Sequence, residues 1–121
     1  PSLFLDGMAG SRLPIVVSHG EGRADFTAHG KQDSPVVALR YIDNHGRVAQ
    51  TYPFNPNGSP DGIAGLTTLD GRFTVMMPHP ERAVIPWQWG WMPEQMKQNL
   101  VASPWLRMFQ NARVWCETGG K

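Results

Sequence analysis

The chain has 121 residues, 40% hydrophobic and 17% charged, with 11 Lys+Arg against 10 Asp+Glu and a formal net charge of +1. That size suits one domain or part of a larger one. The composition is too apolar for a disordered chain, and the charge gives no pull toward nucleic acid or an anionic membrane. One cysteine excludes an internal disulfide framework. No apolar run approaches the ~20 residues of a membrane span, and there is no basic-then-apolar signal segment. The chain opens at Pro1 without Met, which suggests a piece of a longer polypeptide. Thirteen Gly and eleven Pro are well above average usage and predict many turns and short elements.

In chain order, residues 3–5 are a short apolar run ended by Asp6-Gly7. Residues 14–18 form a β-branched run that predicts a strand buried on both faces. It stops at His19-Gly20-Glu21-Gly22, and residues 23–34 look like an exposed excursion. Residues 36–42 predict a strong strand, 43–46 a turn, and 48–52 its hairpin partner. Residues 53–62 are rich in Pro, Gly and Asn and cannot be regular structure. A second hairpin follows, 63–68 and 73–77 around Asp70-Gly71, and it runs straight into Pro78-His79-Pro80-Glu81-Arg82.

The last third differs, since all five Trp (87, 89, 91, 105 and 115) lie there. Residues 83–92 read as irregular, and 93–100 as one or two helical turns. Ser103-Pro104 is a helix start, a capping hydroxyl followed by Pro at the first helical position. Trp105, Phe109, Ala112 and Cys116 then fall on one helical face, and Gly119-Gly120 ends the helix.

The sharpest chemical signal is Met76-Met77-Pro78-His79-Pro80-Glu81. The prolines restrict the backbone on both sides of the histidine. In an extended segment residues two apart point the same way. His79 and Glu81 can therefore sit side by side, the base and its orienter in a nucleophile–His–acid triad. A loop histidine beside a solvated glutamate is the plainer alternative. No nucleophile accompanies them. Cys116 falls late in an amphipathic helix, where a packed or idle thiol is expected. Ser18 lacks the G-x-S-x-G elbow. The glycines of Ser18-His19-Gly20-Glu21-Gly22 free the backbone for close approach, or else make a tight turn. Asn55-Pro56-Asn57-Gly58-Ser59 offers N–H groups to a ligand, or is an ordered turn. The four histidines (19, 29, 45, 79) have no zinc spacing, so no metal site is expected.

Five stretches together resemble the C-terminal glutaminase region of the phosphoribosylformylglycinamidine synthase family. They are residues 14–23 (PIVVSHGEGR), 38–44 (ALRYIDN), 51–65 (TYPFNPNGSPDGIAG), 76–82 (MMPHPER) and 103–113 (SPWLRMFQNAR). The resemblance covers nearly the whole chain and is weakest over 24–34 and 83–100. It implies an α/β fold: the second half of a flavodoxin-like class I glutamine amidotransferase domain, strand- and hairpin-rich with a C-terminal helix, spanning residues 1–121. It also implies a cytoplasmic enzyme of purine biosynthesis.

In that family a cysteine on a strand–helix elbow attacks the glutamine amide. By resemblance His79 is the base, Glu81 orients it, and His19, Gly20, Glu21, Asn57, Gly58 and Ser59 lie at the glutamine pocket. The ammonia goes to a synthetase domain of the same polypeptide, which uses ATP and Mg²⁺ to amidate formylglycinamide ribonucleotide. The elbow does not occur in these residues. The chain alone is therefore expected to be inactive and to self-associate through uncovered sheet. A non-catalytic interaction module and a γ-glutamyl hydrolase-like relative are the alternatives.

Overall fold

The computed structural model describes residues 2–18, 21–27 and 36–120. Its sheet has three antiparallel strands in the order β1 (Val36–Arg40), β2 (Ile63–Thr67) and β3 (Thr74–Met76). Two helices follow, the single turn α1 (Glu94–Lys97) and α2 (Leu106–Glu117). Short 3-10 turns at Leu3–Leu5, Pro60–Gly62, Pro80–Arg82 and Pro86–Gln88 occupy the Pro- and Gly-rich stretches. A Pro opens three of them, because its fixed φ suits a first helical position and it needs no partner for an N–H.

The second predicted hairpin forms as expected. Gly65 pairs with Met76, Leu66 with Val75 and Thr67 with Thr74. The Thr68–Gly71 turn is closed by the Asp70 carboxylate, which accepts from the Thr68 hydroxyl and the Arg72 N–H. The first predicted hairpin does not form as a ladder. Residues 42 and 48 make one isolated bridge, and β1 instead pairs with β2, Val36 opposite Thr67 and Arg40 opposite Ile63. The reason is local: the Asp43 carboxylate takes the N–H groups of His45 and Arg47 and closes the turn on itself. Gly62 then brings β2 against the chain at 41–49. It has φ +62, and a Cβ there would meet the carbonyl oxygens of Ala49 and Tyr41 at 2.9 Å.

Residues 14–18 are also less regular than expected. Only Val16 is bridged, to His79, and Val17 and Ser18 are exposed. The segment makes one strand-type bridge and leaves Pro14, Val17 and Ser18 exposed, so it is not a strand buried on both faces.

The core gathers Ala83, Trp89, Met92 and Trp105, with Leu5, Leu13, Ile15, Val16 and Leu39 packed against it. Both buried tryptophans also satisfy their indole N–H groups, Trp89 on the Ala83 carbonyl at 2.9 Å and Trp105 on the Pro14 carbonyl at 2.7 Å. The Trp105 bond ties the C-terminal third to the segment that carries Val16. Ser103 is buried, its hydroxyl accepts the Trp105 N–H at 3.1 Å, and α2 starts at Leu106. The packed side of α2 differs from the predicted stripe. Trp105 is buried, but Phe109 and Cys116 are exposed. Asn111 faces inward instead, donating to the carbonyls of Phe4 and Asp6 at 2.9 and 2.8 Å. The neighbour of α2 is the Leu3–Leu5 turn, whose open carbonyls favour an amide over a phenyl ring.

Candidate active site

β3 ends at Met76, and Pro78 follows, buried. The next residue, His79, donates its backbone N–H to the Val16 carbonyl at 2.8 Å, one last antiparallel bond beyond the sheet. The chain then turns. Arg82 N–H reaches the His79 carbonyl at 3.1 Å and Ala83 N–H the Pro80 carbonyl at 3.0 Å. Glu81 therefore lies in a tight 3-10 turn, not in an extended segment as the spacing suggested. Pro80 leaves the backbone in helical φ, so the chain winds rather than running straight.

The turn still brings the two side chains together. His79 Nδ1 and Glu81 Oε1 are 2.6 Å apart. The imidazole is about a quarter exposed and the carboxylate about half exposed, at 29% and 53%. Partial burial pushes the Glu81 carboxyl up. The hydrogen bond from His79, its own backbone N–H and the charges of His79 and Arg82 outweigh that and hold it below its ordinary value. With Nδ1–H donating to the carboxylate, Nε2 carries the free lone pair. Such a pair can take a proton from an acid presented to Nε2 and hold the resulting cation.

The model of the CobB/CobQ-like glutamine amidotransferase domain matches residues 1–116 of the chain. The chain belongs to that family. Its chemistry in general is hydrolysis of glutamine and transfer of the ammonia released.

Within this amidotransferase domain, residues 22–24 and 57–59 lie next to one another. Asn57 Nδ2 donates to the Gly22 carbonyl at 2.8 Å, and Ala24 N–H donates to Ser59 Oγ at 2.9 Å. Glu21 and Gly58 are exposed, and space is open around Gly58. Asn57 is half-buried, and Ser59 is fully buried, 1% exposed. His19 and Gly20 lie outside the described residues. Cys116 is exposed in the last turn of α2, an element that packs on the Leu3–Leu5 turn, and Ser18 is exposed. Among the described residues no three His, Cys, Asp or Glu side chains cluster as metal ligands, and no helix is long and apolar enough to cross a membrane.

Sequence reasoning missed Asn55 and Met77. Asn55 is fully buried and donates to the carbonyls of Ala49 and Ser59 at 3.1 and 2.9 Å, which folds the loop back on itself. Met77 covers Gly22, whose φ is +101; a Cβ on Gly22 would stand 2.4 Å from Met77 Cγ. The only advance sign of Met77 was its place two residues before His79. Asn55 gave none beyond membership of a Pro- and Gly-rich loop.

Proposed function

We propose that the chain is the second half of a flavodoxin-like class I glutaminase domain in phosphoribosylformylglycinamidine synthase. On this reading His79 is the general base and Glu81 its orienter. The observation that carries it is the His79 Nδ1–Glu81 Oε1 contact of 2.6 Å, on a turn held to the 14–18 segment through the Val16 carbonyl. Five motifs of that synthase family in the same order support it.

The nucleophile is a cysteine thiol on an elbow outside these residues. His79 Nε2 takes the thiol proton as sulfur adds to the amide carbon of glutamine. It returns that proton to the departing nitrogen, which leaves as ammonia, and a glutamyl thioester remains. A water deprotonated at the same Nε2 then adds to the thioester and releases glutamate and the thiol. Glu81 holds the ring in the tautomer with Nε2 free and stabilises the imidazolium between the two transfers. The ammonia amidates formylglycinamide ribonucleotide in the synthetase domain, in the cytoplasm. ATP and Mg²⁺ belong to that domain, and no residue of this chain is assigned to them.

The test is made on the full-length protein. His79→Ala should abolish glutamine-dependent amidation and spare ammonia-dependent amidation. Loss of both would make His79 structural, and retention of the glutamine-dependent reaction would end the base assignment. A non-catalytic docking module is the rival, favoured by the exposed Trp87, Trp91 and Val101. Retained glutamine-dependent activity in His79→Ala is the outcome that rival expects.

A further inference from the structure

Groups from both flanks hold Val16 and residues 22–24. On one flank, His79 N–H binds the Val16 carbonyl at 2.8 Å, and the Met77 side chain lies over Gly22. On the other, Asn57 donates to the Gly22 carbonyl and Ser59 accepts from the Ala24 N–H. The Asn57–Ser59 loop is itself locked. Ser59 N–H donates to Asn57 Oδ1 at 3.0 Å, and the Ser59 carbonyl accepts from Asn55 Nδ2 and Gly62 N–H at 2.9 and 3.2 Å.

These bonds decide what Asn57 and Ser59 can do. Both ends of the Asn57 amide are engaged with protein, the nitrogen with Gly22 and the oxygen with Ser59. Ser59 Oγ is on a fully buried side chain and is engaged by Ala24. Each of these polar groups is already bonded to backbone of the chain. Their bonds fix where the backbone of residues 22–24 lies relative to the strand that delivers His79.

We propose that Asn57 and Ser59 are positioning residues of the glutamine site. They clasp the Gly22–Ala24 backbone against the Met77–His79 segment and do not contact the substrate. The proposal rests on the amidotransferase reading above, and on the family resemblance by which the adjoining Glu21 lies at the glutamine pocket. Loosening the clasp should weaken glutamine binding and leave the proton-transfer groups in place.

In the full-length protein, Asn57→Asp keeps the acceptor for the Ser59 N–H and deletes the donor to Gly22. Ser59→Ala deletes the acceptor of the Ala24 N–H. In each, the glutamine KM for glutamate release should rise about tenfold, the worth of one hydrogen bond, with kcat changed less than about twofold. Amide exchange over residues 22–25 should quicken by a similar factor. A raised KM with unchanged exchange would make these residues direct ligands and overturn the proposal. Faster exchange with unchanged KM would overturn it as well, as would parallel loss of glutamine- and ammonia-dependent reactions with a lowered Tm. His79→Ala, measured alongside, separates the two levels. Glutamate release that survives it ends the amidotransferase reading. Its loss, with normal kinetics in Asn57→Asp and Ser59→Ala, ends only the clasp.

Discussion

The turn at residues 79–82 and the loop at 55–59 are built from similar materials. Both combine proline with polar side chains. Their polar groups end up in opposite conditions. At the turn, His79 and Glu81 bind one another and remain partly open to solvent, with Nε2 unspent among the described residues. At the loop, Asn55 and Ser59 are buried and Asn57 is spent on the backbone at both ends. A polar residue near a site is therefore not yet a ligand. Whether it reacts or supports depends on which of its donors and acceptors the protein has already used.

Breaking the turn should have the largest effect. His79→Ala removes the base and should drop glutamine-dependent activity to background, read as glutamate release in the full-length protein. Glu81→Gln comes next. It frees the ring to rotate and removes the charge beside the imidazolium, and kcat should fall about 10²-fold or more with KM little changed. The pH response of this pair has a definite sign. Glu81 titrates below its ordinary value of 4.5 in the folded chain. Its contact with His79 therefore stabilises the fold above that value, and the contribution is lost as pH falls through the lowered one. Thermal unfolding followed from neutral pH into acid should show a smaller acid slope in Glu81→Gln than in the parent. An equal slope would mean that the pair makes no contribution.

Changes on the loop side sharpen the contrast at smaller amplitude. Asn57→Asp and Ser59→Ala should act on KM by about tenfold, as a support does. Gly62→Ala should act on stability and not on chemistry. Strain at φ +62 and two carbonyl oxygens at 2.9 Å from the new Cβ should cost about 1–3 kcal/mol in denaturant unfolding. Cys116→Ser should be silent in both assays, because the thiol is exposed on α2 and outside the turn and the loop. A loss of glutamate release in that variant would make Cys116 the nucleophile and reverse the assignment of the thiol to an elbow elsewhere.

Association of the isolated chain is the weakest of these effects. Val75 on β3 and Phe73 just before it are exposed at the edge of the sheet, and such a strand invites pairing. Light scattering of the 121-residue chain should show concentration-dependent growth that Val75→Lys reduces. A stable monomer at all concentrations would show that the edge is already protected.

Much was legible in the sequence because it was local. The β2–β3 hairpin was readable from alternating side chains around Asp70-Gly71, since a turn and its flanking strands interact over a few residues. The meeting of His79 and Glu81 was readable from a spacing of two between prolines, even though a 3-10 turn, and not extended backbone, brings them together. Membership of a glutamine amidotransferase family was readable from five motifs in order. The rest was settled between distant residues. The partner of β1 is β2 and not its own neighbour, because Asp43 closes the intervening turn on itself and Gly62 permits close backbone approach. Asn111, not Phe109, faces the rest of the chain, because open carbonyls of the Leu3–Leu5 turn and Asp6 await it. The roles of Asn57 and Ser59 depend on Gly22 and Ala24, each 35 residues away. A sequence displays which donors and acceptors a segment owns. Only the tertiary structure decides which of them are already used.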